Sequence, residues 1–197
     1  MRTRLFGLCV CALLFGSCDG PPSGVEAPPV SSVPRSNADV GENAASKTGS
    51  TRREFNGISF LIPSEWQPGP PSSVIDAKYV IPSETGEMYL TLTSMRGGIG
   101  ANVDRFVGQI RSSAAVDTDA RGSIDIDGRE GMWVDRSGTF NGSGVSTPGP
   151  HESWRMLCAA IALPEGDFYV RLVGPSASIA AIAAEFRGFV EDAKVGR

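Results

Sequence analysis

The spacing of apolar residues along the chain switches between a period of two and a period near 3.6, and the switches mark the elements. In "FNGISFLIP", Ile58, Phe60 and Ile62 fall on one face and predict a half-buried strand ended by Pro63; "PSEW" then begins a turn or short helix. "AKYVIP" and "EMYLTLTSM" are rich in β-branched and aromatic residues and flank "SETGE", which predicts a hairpin. Past the glycines of "GGIG" the period lengthens. Val103, Phe106, Val107 and Ile110 stand at i, i+3, i+4 and i+7, one apolar stripe of a helix over "NVDRFVGQIRSSA", with Asn102 as its N-cap and Asp104 in its first turn. "SIDIDGREGMWV" sets Ile124 and Ile126 among acids and places Asp127-Gly128 at a two-residue turn, a hairpin whose second strand can continue to Phe140. An exposed loop, "NGSGVSTPGPHE", leads to a further hairpin of "SWRMLCAAIAL" and "DFYVRLVG" joined at "PEG". The last helix, from Ser178 to about Lys194, carries Ile179, Ile182, Ala183, Phe186, Phe189 and Val190 at helical spacing, with Ser176 or Ser178 as its cap. Hairpins dominate, so the expected fold is α+β: one globular domain over residues 53–197, a mostly antiparallel sheet flanked by helices.

The pattern vanishes upstream. Residues 19–52 hold no aromatic residue and no Leu, Ile or Met, and Pro, Ser, Gly and Ala dominate. Such a stretch cannot bury enough apolar surface to offset its ordering entropy. Residues 18–52 therefore read as a disordered tether with a reach of roughly 30 Å. Before it, Arg2 and Arg4 precede an apolar run from Leu5 to Phe15, too short to span a bilayer. Gly16 and Ser17 then lead to Cys18. Leu14-Phe15-Gly16-Ser17-Cys18 resembles the lipobox of a bacterial lipoprotein, with Phe15 where an aliphatic residue is usual. The resemblance implies removal of residues 1–17 as a signal peptide and acylation of Cys18, with the lipid bilayer as the anchor; an ordinary secretory signal is the alternative.

The 197 residues carry a net charge of −4, and loss of Arg2 and Arg4 with the signal makes the chain more acidic still. Nucleic acid is excluded as a partner on these grounds. Cys9 and Cys11 leave with the signal as well, so Cys158 is the one thiol left and no intrachain disulfide can form. Within the apolar run "RMLCAAIAL" it reads as buried and inert.

No catalytic, cofactor or metal constellation stands out. "GGIGANVDRF" places glycines at a helix start, as phosphate cradles do, and Arg96 and Arg105 can attract an anion. Asn102-Val103 stands where a phosphate loop needs Lys-Ser/Thr, however, and Asp104 repels an anion, so the stretch reads as a tight strand-to-helix connection. Asp117, Asp119, Asp125 and Asp127 sit near a calcium-loop spacing with Gly122 sixth, but Arg121 occupies a ligand position. His151 is the only histidine; with one distant cysteine it makes no zinc set, and it falls in the flexible loop with no nucleophile elbow in the chain. Trp66, Trp133 and Trp154 are packing residues by default. Trp154, beside His151 and Arg155 at the mouth of the long loop, forms with Arg96 and Arg105 the candidate interaction surface.

Three stretches also resemble one family. "GISFLIPSEW" is similar to the opening of PsbP-like domains, where a strand runs into a proline and a tryptophan turn. "GGIGANVDRFVGQI" looks like the glycine loop and helix of their bacterial members, and "FYVRLVGPSASIAAIAAEFRGFV" like their closing strand, Gly-Pro turn and helix. The resemblance covers most of residues 54–194. It implies an α/β/α sandwich around an antiparallel sheet, the fold of an extrinsic photosystem II subunit and of a Mog-type Ran-binding protein. Those members act mainly by binding other proteins and share no catalytic site. The expectation is an exported lipoprotein, anchored to the cell membrane, whose non-catalytic domain works through protein contacts. A small-ligand binder using the cleft between helix and sheet is the alternative, and a hydrolase using His151 the third reading.

Overall fold

The computed structural model describes residues 49–112, 120–142, 144–146 and 148–196. The stretches expected as signal peptide and, before residue 49, as tether, together with Cys18, Asp117 and Asp119, lie outside them.

Two antiparallel sheets and two helices make up the described chain. β1 (Ser50–Phe55), β2 (Ile58–Pro63) and β11 (Lys194–Val195) form a three-stranded sheet in the order β1-β2-β11. β1 begins inside the stretch expected to be tether, so Ser50–Arg52 are paired backbone. Its hairpin closes through Asn56 and Gly57, both at positive φ (43° and 83°), the turn geometry that matches strand twist.

The larger sheet runs β3-β4-β5-β10-β9-β8-β6, with β7 also on β8. Its strands are β3 (Gln67–Pro68), β4 (Ala77–Ile81), β5 (Met88–Met95), β6 (Ile110–Arg111), β7 (Ala120–Ile126), β8 (Arg129–Phe140), β9 (His151–Ile161) and β10 (Asp167–Pro175). All three expected hairpins form: β4–β5, β7–β8 and β9–β10. Asp127 and Gly128 take φ of 54° and 76° in the β7–β8 turn, as the Asp-Gly pair predicts. β10 and the Met156–Ile161 part of β9 are central and buried on both faces, which is why they read as nearly continuous apolar runs rather than as alternation.

Both faces of this sheet are covered. Leu90, Leu92, Leu157, Ala159, Val170 and Leu172 pack against Ile58 and Phe60 of β2 and against α2 (Ser176–Glu191) through Ile179, Phe186, Phe189 and Val190. Phe60 joins these layers, its ring 5.1 Å from Phe189 and 5.8 Å from Phe168. On the other face Met156, Cys158, Tyr169 and Val173 pack against α1 (Ile99–Val107) through Val103, Phe106 and Val107. The result is the expected α+β arrangement, a mostly antiparallel sheet with helices on both sides.

Both expected helix caps differ from the structure. α1 starts at Ile99 behind Gly98, so Asn102 lies inside the helix and Asp104 falls beyond the first turn. Asn102 is buried, and its Nδ2 donates to the Arg96 carbonyl (3.1 Å) and to Tyr169 Oη (3.0 Å). α1 also stops early, at Gly108, and Ile110 delivers its side chain to the same core from β6. α2 starts behind Pro175 with no side-chain cap. Ser178 instead is buried, its hydroxyl 2.7 Å from that of Ser83 and 2.5 Å from that of Thr85 in the β4–β5 turn. In both cases a buried polar side chain is satisfied by a distant segment, which a local cap preference cannot anticipate.

An exposed latch ties the two sheets together. Asp127, in the β7–β8 turn, accepts from Lys194 Nζ (3.0 Å) and from the Val195 amide (3.1 Å) of β11. The Lys194 hydrogen bond, helped by that amide, holds the carboxyl below its ordinary value of 3.8. The ionised form is therefore favoured by folding, so this contribution is complete above about pH 4 and is lost as the pH falls through the lowered value. Asp127→Asn is expected to lower Tm at pH 7 and to flatten the fall in stability below pH 4, read by thermal melts from pH 7 to 2; an unchanged acid profile would show that the latch carries no stability.

Candidate ligand-binding cleft

A cavity of about 630 Å³ opens between α1, the sheet and the segment 73–75. Strand alternation builds its floor. Phe168, Val170 and Leu172 of β10 point into the α2 layer, so Tyr169 and Arg171 point to the α1 side, where their cross-strand partners Thr93 and Thr91 of β5 join them. Phe106 and Gln109 close the helix side.

Arg171 is the unusual residue of this floor. Its side chain is buried (7% exposed). Nη1 donates to Gln109 Oε1 at 2.7 Å, and the guanidinium carbon lies 5.0 Å from the centroid of the Phe106 ring. No carboxylate pairs with it among the described residues. Burial, and then the nearby Arg105 charge, press its pKa below the ordinary arginine value. Among the described residues no buried side-chain nitrogen or oxygen lacks a hydrogen-bond partner, and Nη1 is the only Arg171 nitrogen with one. Arg171 itself lines the cavity. Gly144 of the loop 141–150 passes close by: a Cβ placed there would lie 3.5 Å from Nη2.

The neighbouring groups are settled. Tyr169 Oη accepts from Asn102 and donates to Asp167 Oδ2 at 3.4 Å; burial is the main cause of its raised pKa. Cys158, opposite Arg171 on β9, is fully buried and its thiol is pushed up to about 12 by desolvation, partly offset by the Arg171 charge. It carries no thiolate at neutral pH, as its apolar setting in the sequence suggests.

The residues of the expected interaction surface divide. His151 is the first residue of β9 rather than part of a flexible loop, and it is half-buried. Its ring stacks on Trp154 at 4.2 Å, and Trp154 lies 5.5 Å from Phe140 and 6.2 Å from Tyr89. Arg155 does not join them. Alternation turns it to the α2 face, where it forms a two-pronged pair with Asp135 at 2.7 and 2.6 Å. Arg105 lines the rim of the cavity on the α1 face, and Arg96 is exposed in the connection to α1. Gly97 and Gly98 in that connection have φ of 110° and 88°, which makes the glycine stretch a tight strand-to-helix turn. Trp66 is buried beside Phe189, and Trp133 packs beside Phe186 and under Arg187. Asp125 and Asp127 serve turn and latch hydrogen bonds, and no group of three or more His, Cys, Asp or Glu gathers among the described residues.

No family model and no curated protein matches this chain. Among solved structures, the cyanobacterial PsbP protein (CyanoP) of Synechocystis superposes with a TM-score of 0.51 at 12% identity, over 75% of this chain and 92% of that one. The fold is PsbP-like. A Pseudomonas aeruginosa protein of unknown function also matches, with a TM-score of 0.44 at 13% identity, over 76% of this chain and 98% of that one.

Sequence reading passed over Arg171, Gln109 and Tyr169. The available hint was one charged residue inside the apolar run "FYVRLV". Because Arg171 has no counter-charge to lose among the described residues, Arg171→Met is expected to keep the fold and leave stability unchanged or raise it by about 1 kcal/mol in denaturant melts. A loss of more than about 2 kcal/mol would mean that the guanidinium holds the fold together.

Proposed function

We propose that this protein is an exported lipoprotein, anchored to the cell membrane through acylated Cys18, whose PsbP-like domain stands off on a Pro- and Ser-rich tether and acts without catalysis. Its leading activity is contact with another protein of the cell envelope. The observation that carries this reading is the half-buried His151–Trp154 stack on the α1 face. A large aromatic held rigid by its neighbours while partly open to solvent is the usual anchor of an interface. Such stacking favours a packing and contact role for His151 over that of a hydrolytic base. Arg105 shares this face; Arg155 is committed to Asp135 on the other.

The second reading, a small-ligand binder, is favoured by the cavity under α1 and the buried guanidinium in its floor. The two readings are compatible, since both use the α1 face.

Crosslinking with mass spectrometry on native membranes tests the first. One envelope protein is expected to crosslink reproducibly to the wild-type chain. Cys18→Ala should release the chain from the membrane fraction and abolish the crosslink. Trp154→Ala should cut the crosslink at least tenfold and lower stability by about 2 kcal/mol, less than the loss of a fully buried Trp. A chain that stays in the membrane fraction and crosslinks to nothing would overturn the protein-contact reading.

A further inference from the structure

Resting on the small-ligand reading, we propose that the cleft under α1 is a binding site for a small amphipathic organic anion, with one carboxylate or phosphate head at Arg171 and an apolar body along Phe106, Ile75 and Val74.

The first support is the state of Arg171. A guanidinium taken out of water is costly unless it is paired, and among the described residues this one has a single neutral hydrogen-bond partner, Gln109. Its remaining N–H groups lie in the plane of a fork suited to a carboxylate or phosphate. The acids around the cleft are already engaged: Asp76 accepts from Asn56 Nδ2 (2.8 Å) and the Ser94 amide (2.5 Å), Asp167 from Tyr169, and Asp104 pairs with Arg121 at 2.8 Å. None of them neutralises Arg171. Arg105 at the rim adds a second positive charge, so the cleft is locally cationic in a chain of net charge −4.

The second support is independent of charge. Val74 is 74% exposed, the one large hydrophobic residue so exposed among the described residues, and it lies on the lip of this cavity beside Ile75. Phe106 of α1 lines the same cavity. An exposed valine on an apolar lip gains by being covered. At about 630 Å³ the cavity falls in the range of pockets that enclose a small ligand. A cation at the floor and an apolar lip define an amphipathic anion rather than a free inorganic ion.

The test is calorimetric titration of the full chain carrying Cys18→Ala with octanoate, octyl phosphate and the neutral 1-octanol. One of the two anions should bind at least tenfold more tightly than octanol, and the tighter one identifies the head group. Arg171→Met, added to the same chain, should reduce anion binding to the octanol level; Arg105→Gln should weaken it only two- to threefold. If octanol binds as well as both anions, or if Arg171→Met changes nothing, the anion assignment is wrong while the cleft remains a ligand site. If none of the three binds, both the assignment and the small-ligand reading fail.

Discussion

A sheet buried on both faces must be roofed on both, and the rest of this structure follows from how unequally that is done. β9 from Met156 onward and β10 carry buried side chains both up and down. Beneath them lie a helix of 16 residues and the β1-β2-β11 sheet, which close the layer around Phe60, Phe186 and Phe189. Above them lies a helix of nine residues, about 14 Å long, bounded by Gly98 and Gly108. Strands stand about 4.8 Å apart, so so short a helix spans only part of the sheet. Val145 covers some of the remainder, packed on the core. Between these covers and the segment 73–75 remains the cleft, lined in part by Thr91, Tyr169 and Arg171.

The polar residues in this upper layer are of two kinds. Asn102 and Tyr169 satisfy each other and fix the start of α1. Arg171 is held by one amide oxygen and an aromatic face, and its strand neighbour Cys158 stays a neutral thiol and offers it no anion. The segment 144–146 touches both parts of the face: Gly144 passes Arg171, and Ser146 hydrogen-bonds Tyr89, which in turn stacks near Trp154. The aromatic rim and the cleft are thus neighbours on one surface.

Much of the fold was legible because the governing signals are local. The alternation of Ile58, Phe60 and Ile62, the Asp127-Gly128 turn and the stripe from Ile179 to Val190 each specify an element within a few residues. β1 was not legible because its residues, STRREF, carry no apolar alternation; only the Asn56-Gly57 turn marked it. Asn102 and Ser178 were assigned to caps because the cap preference of such residues is local, whereas the partners they use are 67 and 93–95 residues away. The surface around Trp154 was half legible: His151 joins it, while the pleat sends the adjacent Arg155 to the opposite face. Arg171 was hidden for the reverse reason. A single charge inside a strand means little until the strand is known to be central and its neighbours known to lack an acid.

The most direct measurement is the arginine Nε–Hε region of a ¹⁵N–¹H spectrum, recorded on the Cys18→Ala chain while octanoate is added and assigned by the signal that Arg171→Met removes. An anion-facing Arg171 shows a saturable shift of its own Nε–Hε signal and slower exchange with water, while exposed arginines such as Arg52 and Arg129 stay unchanged. A silent Arg171, or a weak drift shared by all arginines, would contradict the reading of this guanidinium as a ligand-facing cation.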